Sequence, residues 1–160
     1  MSNIVVITDS SCDYSPEQAL EAGFSMVPLT ISFEEEQFLE GLELTPSQFY
    51  RRLAKTDCLP KTSQPSPELF MSVFRKYSDA EHIICVTISS GLSGTVRSAS
   101  LAASLLEEQG FAPKVHVIDS YNGCAATGLM AETAARMAQA GASIDEILAR
   151  METMQHTVGI

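Results

Sequence analysis

The sequence predicts a three-layer α/β fold, with a mainly parallel sheet between two layers of helices. Three apolar runs, at residues 4–7, 83–88 and 115–118, are rich in β-branched residues and too short to be helices. Each is followed by a polar or glycine-containing turn and then by a segment with the pattern of a helix. Strands and helices that alternate in this way build a parallel sheet covered on both faces.

Taken in order, the run at residues 4–7 is a buried strand that ends in Thr8-Asp9-Ser10-Ser11. Ser15-Pro16-Glu17 then opens a helix with a hydroxyl cap, proline at the first helical position and an acid in the first turn, and that helix ends near Gly23. Residues 26–33 read as one extended segment, with Pro28 suited to an edge or an irregular position. The triplet Glu34-Glu35-Glu36 is the solvated tip of a hairpin-like excursion running to Gly41. Thr45-Pro46-Ser47-Gln48 repeats the capped-helix signature and starts a short helix to about Lys55. Residues 62–67 carry two prolines and are expected to be irregular, and Ser66-Pro67-Glu68 starts the next helix, through about Tyr77.

The strand at 83–88 leads into Ser89-Ser90-Gly91-Leu92-Ser93-Gly94-Thr95, and a helix of small residues follows from about Leu92 to Gly110. Residues 115–118 form the third strand and end in Asp119-Ser120, matching the Asp9-Ser10 end of the first. An alanine-rich helix spans 124–140, Gly141 breaks it, and Ser143-Ile144-Asp145-Glu146 caps a last helix through about Gln155. Residues 157–160 read as the start of an extended segment.

The length suits one domain with a single sizeable core. Ten Lys plus Arg stand against twenty Asp plus Glu, a formal net charge of -10, so the basic face that nucleic acid requires is missing. The four cysteines show no zinc spacing, no metal site is expected, and a reducing cytoplasm is the simplest setting. Cys85 falls within an apolar run and reads as inertly packed. No apolar stretch is long enough for a membrane helix.

Ligands in parallel α/β sheets sit at the carboxyl ends of the strands, so Asp9, Ser10, the 89–95 loop, Asp119 and Ser120 share one rim. The loop joins a strand to a helix, and its backbone N–H groups can converge on one anion while Ser93 and Thr95 add hydroxyls. A carboxylate or a phosphate would fit. Asp9, Ser10, Ser90, Asp119 and Ser120 are read as supports that orient the loop. The lysine that ends a P-loop is missing, and Gly91-Leu92-Ser93-Gly94 misses the nucleophile-elbow pattern by one residue. A hydrolase using Ser93 as nucleophile is the alternative from the enzyme class, with His82, His116 and His156 as the available bases. An interaction domain without a ligand is a third reading.

Thr8-Asp9-Ser10, Val27-Pro28-Leu29, Thr62-Ser63-Gln64-Pro65-Ser66, the 89–95 loop and Ile118-Asp119-Ser120 occur in an order that resembles the DegV family of bacterial fatty-acid-binding proteins. The resemblance implies a carrier, not an enzyme, that needs no cofactor and takes a long-chain fatty acid as ligand. It matches Thr62 and Ser93 to carboxylate contacts, with Ser63 and the amides of Gly94 and Thr95 in support. It also implies a partner fatty-acid kinase that phosphorylates the acyl carboxylate for phospholipid synthesis. Residues 1–160 correspond to the N-terminal α/β domain of such proteins, expected here to be truncated before a second domain that closes over the acyl chain.

Overall fold

The computed structural model describes residues 3–158. Along the chain run β1 (Ile4–Asp9), α1 (Pro16–Ala22), β2 (Ser25–Val27), β3 (Thr30–Phe33), β4 (Glu36–Leu39), α2 (Pro46–Leu53), β5 (Lys61–Ser63), α3 (Pro67–Phe74), β6 (His82–Thr87), α4 (Thr95–Glu108), β7 (Lys114–Asp119), α5 (Cys124–Gln139) and α6 (Ile144–Thr157). Single turns of 3-10 helix follow β1 and α3.

Four strands form the parallel sheet in the order β2-β1-β6-β7. Successive side chains point to opposite faces, so each strand feeds two cores. Val6, Ile84, Val86 and Ile118 pack with Ala19, Met130, Ala134, Ile147 and Met151, which places α1, α5 and α6 on one face. Ile7, Ile83 and Cys85 pack with Phe70, Phe74, Ala99, Ala102 and Leu106, which places α3 and α4 on the other. Ser15, Thr45, Ser66 and Ser143 cap α1, α2, α3 and α6, each hydroxyl accepting a backbone N–H of the first turn, so these helix starts follow directly from local sequence.

The crossover through α1 carries the chain from β1 to β2 over one face, and the crossover through α4 carries it from β6 to β7 over the other. The two connections leave the neighbouring strands β1 and β6 in opposite directions. This is the switch point at which such sheets open a crevice at their carboxyl edge.

A second, antiparallel sheet of order β4-β3-β5 has its own small core of Ile31, Phe33 and Leu44, with Phe38 and Phe49 against it. Two expectations change here. Residues 26–33 are split between two sheets: Pro28, which lacks an N–H, takes the irregular position expected of it, where the chain leaves the parallel sheet and enters the antiparallel one. Residues 62–67 are not wholly irregular either, because Thr62 pairs with Ile31 and Ser63 with Thr30 in β5. Pro60 and Pro65 bracket that three-residue strand without interrupting it. The hairpin tip falls at Glu34 and Glu35, and Glu36 already belongs to β4. α4 starts at Thr95, later than expected, since Leu92 and Ser93 turn back onto Ser89. α6 continues to Thr157 and Val158 is extended, whereas Gly159 and Ile160, the remainder of the expected extended segment, lie outside the described residues.

Candidate functional site

The loop between β6 and α4 is held from two sides by the acids that end the neighbouring strands. Asp9 is fully buried, and its carboxyl accepts from Ile88 N at 2.8 Å and from Ser11 N at 3.0 Å, with the Ser11 hydroxyl as a further donor. Burial raises its pKa against the lowering effect of those hydrogen bonds. On the other side, Asp119 accepts from Ser90 N at 3.1 Å and from Tyr121 N at 3.0 Å. Ser120, also buried, fixes the next turn through Asn122, whose carbonyl in turn accepts from Ser89 N at 2.8 Å. Asp9, Asp119, Ser120 and the Ser90 amide therefore act on the loop backbone.

Ser10 turns elsewhere. Its hydroxyl donates to Glu40 Oε2 at 2.6 Å and accepts from Leu29 N at 2.9 Å, so it supports the start of the antiparallel lobe, not the serine loop.

Most N–H groups of the loop are used internally. Gly91 N donates to Ser89 Oγ, Leu92 N and Ser93 N to Ser89 O, and Thr95 N to Ser93 Oγ at 3.3 Å. Among the described residues, Gly94 N and Val96 N have no acceptor, and α4 starts without a side-chain cap. Ser93 Oγ lies 2.9 Å from Thr95 Oγ1, and Thr95 is fully buried, so Thr95 orients the Ser93 hydroxyl and its own amide is occupied. The donor set at this helix start is thus Ser93 Oγ with the amides of Gly94 and Val96. Val96 was not singled out from sequence; the signal was the missing Ser or Thr cap on a 14-residue helix.

Gln64 joins the first hydroxyl-rich stretch to this helix. Its Nε2 donates to Ser98 Oγ at 2.9 Å, and its carboxamide sits so close to Gly94 that a Cβ there would overlap it. Ser63 directly precedes Gln64 at the exposed end of β5, with Thr62 before it. Leu92 and Tyr121 add apolar surface around the rim, 67% and 57% exposed. The arrangement offers neutral donors at a helix start beside apolar surface, which suits an anion with an apolar tail.

The histidines lie apart from Ser93 in the hydrogen-bond pattern. His82 Nδ1 and His116 Nε2 are 3.2 Å apart across β6 and β7, and the His156 ring lies near that of Tyr121. Among the described residues there is no cluster of three or more His, Cys, Asp or Glu that could hold a metal, and no helix is long and apolar enough to cross a membrane.

The family model described as "Uncharacterised protein, DegV family" matches residues 3–159. The chain belongs to the DegV family. A DegV domain-containing protein of Clostridium perfringens is 34% identical over 148 residues, covering 92% of this chain and 52% of the relative. The structure of Bacillus subtilis DegV, described as a fatty acid binding protein, matches with a TM-score of 0.86 at 31% identity and covers 97% of this chain and 54% of that one. The Streptococcus pneumoniae Fatty Acid Kinase (Fak) B3 protein, loaded with linoleic acid, matches with a TM-score of 0.79 at 31% identity, over 97% and 54%. This DegV chain therefore spans about half the length of the curated relatives it matches.

Proposed function

We propose that this DegV chain forms one wall of a fatty-acid site, in which Ser93 Oγ and the amides of Gly94 and Val96 receive the carboxylate while Thr62 and Ser63 approach from the lobe tied down by Gln64. The observation that carries this reading is the uncapped start of α4, where two backbone donors stand free beside an oriented hydroxyl. Hydrogen bonds to a charged group contribute about 1.5–3 kcal/mol each, and each buried methylene adds about 0.8 kcal/mol. The tail therefore supplies most of the affinity and the loops supply the orientation. Related structures hold fatty acids, which supports the ligand class.

In this reading the protein is a cytoplasmic bacterial carrier without catalysis of its own, and it hands its ligand to a fatty-acid kinase for phospholipid synthesis. The Fak B3 relative supports that partner class. A second domain, as the roughly twofold length of the relatives suggests, would close over the apolar rim at Leu92 and Tyr121. The hydrolase alternative has less support, since the hydrogen-bond partner of Ser93 Oγ among the described residues is Thr95 and not a histidine.

The test is organic extraction of protein purified from cells, followed by mass spectrometry, together with affinity measurements on Ser93→Ala. Near-stoichiometric long-chain fatty acid and an affinity loss of roughly ten- to hundredfold, as expected for a charged hydrogen bond, would support the site. No co-purified acid together with unchanged affinity in the variant would overturn it.

A further inference from the structure

A cavity of about 180 Å³ lies beside β2, and it is lined by none of the carboxylate-site residues proposed above. Its walls include Leu20, Met26, Leu42 and Val73, and its charged groups are Glu40 and Lys76. Leu20 and Leu42 are 68% and 62% exposed and form an apolar rim.

Glu40 is held in place by a closed hydrogen-bond ring. Its Oε2 accepts from Ser10 Oγ at 2.6 Å, the same hydroxyl accepts from Leu29 N at 2.9 Å, and the Leu29 carbonyl accepts from Glu40 N at 2.9 Å. Burial raises the pKa of this carboxyl against the lowering effect of the Ser10 hydrogen bond, with Asp9 and Asp13 adding to the rise. Among the described residues it has no ion-pair partner, and Lys76 lines the same cavity without reaching it. A positioned carboxylate against apolar walls gains most from a cationic donor that brings its own apolar surface. Cavities near this volume admit about six to eight non-hydrogen atoms, going by the room that benzene needs.

We propose that this cavity binds a primary alkylammonium ion, with the ammonium on Glu40 and a short branched or linear alkyl chain against Leu20, Met26, Leu42 and Val73. Lys76 at the same cavity disfavours a second positive charge on the ligand. Because the bound form needs Glu40 ionised, affinity rises with pH through the elevated pKa of that group and then levels off.

The probe is 3-methylbutylammonium chloride, titrated into isotopically labelled protein while methyl signals of Met26, Leu20 and Leu42 are followed by NMR. Saturable shifts at these methyls are expected, at least about tenfold weaker in Glu40→Gln and weakened in Leu42→Ser, with Ser93→Ala unaffected. Neutral 3-methylbutanol should bind more weakly than the ammonium to the native chain and nearly equally to both the native chain and Glu40→Gln. Non-saturable shifts overturn the proposal, as does equal binding of alcohol and ammonium to the native chain. If Glu40→Gln fails to fold, retained ammonium preference in Leu42→Ser with reduced affinity supports the site, and unchanged affinity overturns it.

Discussion

Gln64 Nε2 donates to Ser98 Oγ at 2.9 Å, and that bond ties a strand of the antiparallel lobe to the first turns of α4. The two hydroxyl-rich stretches are separate in sequence, and this side chain links the first to the helix that follows the second while its carboxamide lies against Gly94.

Removal of the tie should separate binding from folding. Gln64→Ala leaves the buried Ser98 hydroxyl without its partner, at a cost of about 1 kcal/mol, which Ser98 can soften by bonding back to its own helix. Gly94→Ala should act similarly by displacing the flexible carboxamide, since the Cβ it adds falls on Gln64. Both variants are expected to unfold in urea near the native midpoint and to bind fatty acid several-fold more weakly. Unchanged affinity in both would mean that the lobe takes no part in the grip.

Gly128 should behave differently, because its neighbours cannot move away. A Cβ there would lie 2.5 Å from the Cys12 carbonyl oxygen and 2.6 Å from the Tyr14 ring, so α5 and the turn after β1 would have to separate. Overpacking of this kind costs about 3 kcal/mol, offset by about 1 kcal/mol of improved helix propensity. Calorimetry of Gly128→Ala should show a Tm lower by roughly 4–8 °C.

The His82–His116 pair should make the fold less stable in mild acid. Burial, then His82, then Lys114 lower the pKa of His116, and Asp145 opposes them weakly. The native state therefore favours the neutral ring. As pH falls below about 6.5, the unfolded chain takes up this proton first, so stability present above that pH is lost on the way down to the lowered native value. Asp9 and Glu40, with raised pKa values, act in the opposite sense, so the useful measurement is a difference. Urea midpoints at pH 8 and pH 5.5 should converge in His116→Asn relative to the native chain.

Thiol reactivity should divide the cysteines two and two. Cys12 and Cys85 are fully buried; burial pushes the Cys12 pKa up to about 11 and raises that of Cys85 still further. Cys58 and Cys124 are exposed, although Glu34 holds Cys58 above its usual value. A colorimetric thiol assay at pH 7.5 should count two groups in the native protein and four in urea. Fast labelling of Cys12 would contradict the packing described for it.

The parallel sheet was legible because its signals are local: β-branched runs, hydroxyl caps and glycines at helix ends all act within a few residues. The antiparallel lobe was not. β5 is three exposed residues between prolines, and what makes it a strand is pairing with β3 about thirty residues away, which leaves no periodic trace in so short a segment. In the site, Asp9 and Asp119 were found at strand ends and do hold the loop. Ser10 has the same local setting as Ser120 but faces Glu40, a choice set by the path of the lobe and not by the neighbouring residues. Gln64 and Val96 escaped notice for opposite reasons: one acts over a long distance, and the other through a backbone group that its side chain does not advertise.

Among the described residues, the lobe that carries Thr62 has a small core of Ile31, Phe33 and Leu44 with Phe38 and Phe49 against it, whereas Ser93 rests on the large cores of the main sheet. The two sides of the proposed carboxylate site therefore belong to cooperative units of unequal strength. Hydrogen exchange at β3 and β5 should be faster than at β6 under the same conditions. In the proposed carrier, cargo then leaves by a local melting of one wall while the sheet stays folded, so the lifetime of the loaded state is tuned by how Phe38 and Phe49 pack on that small core.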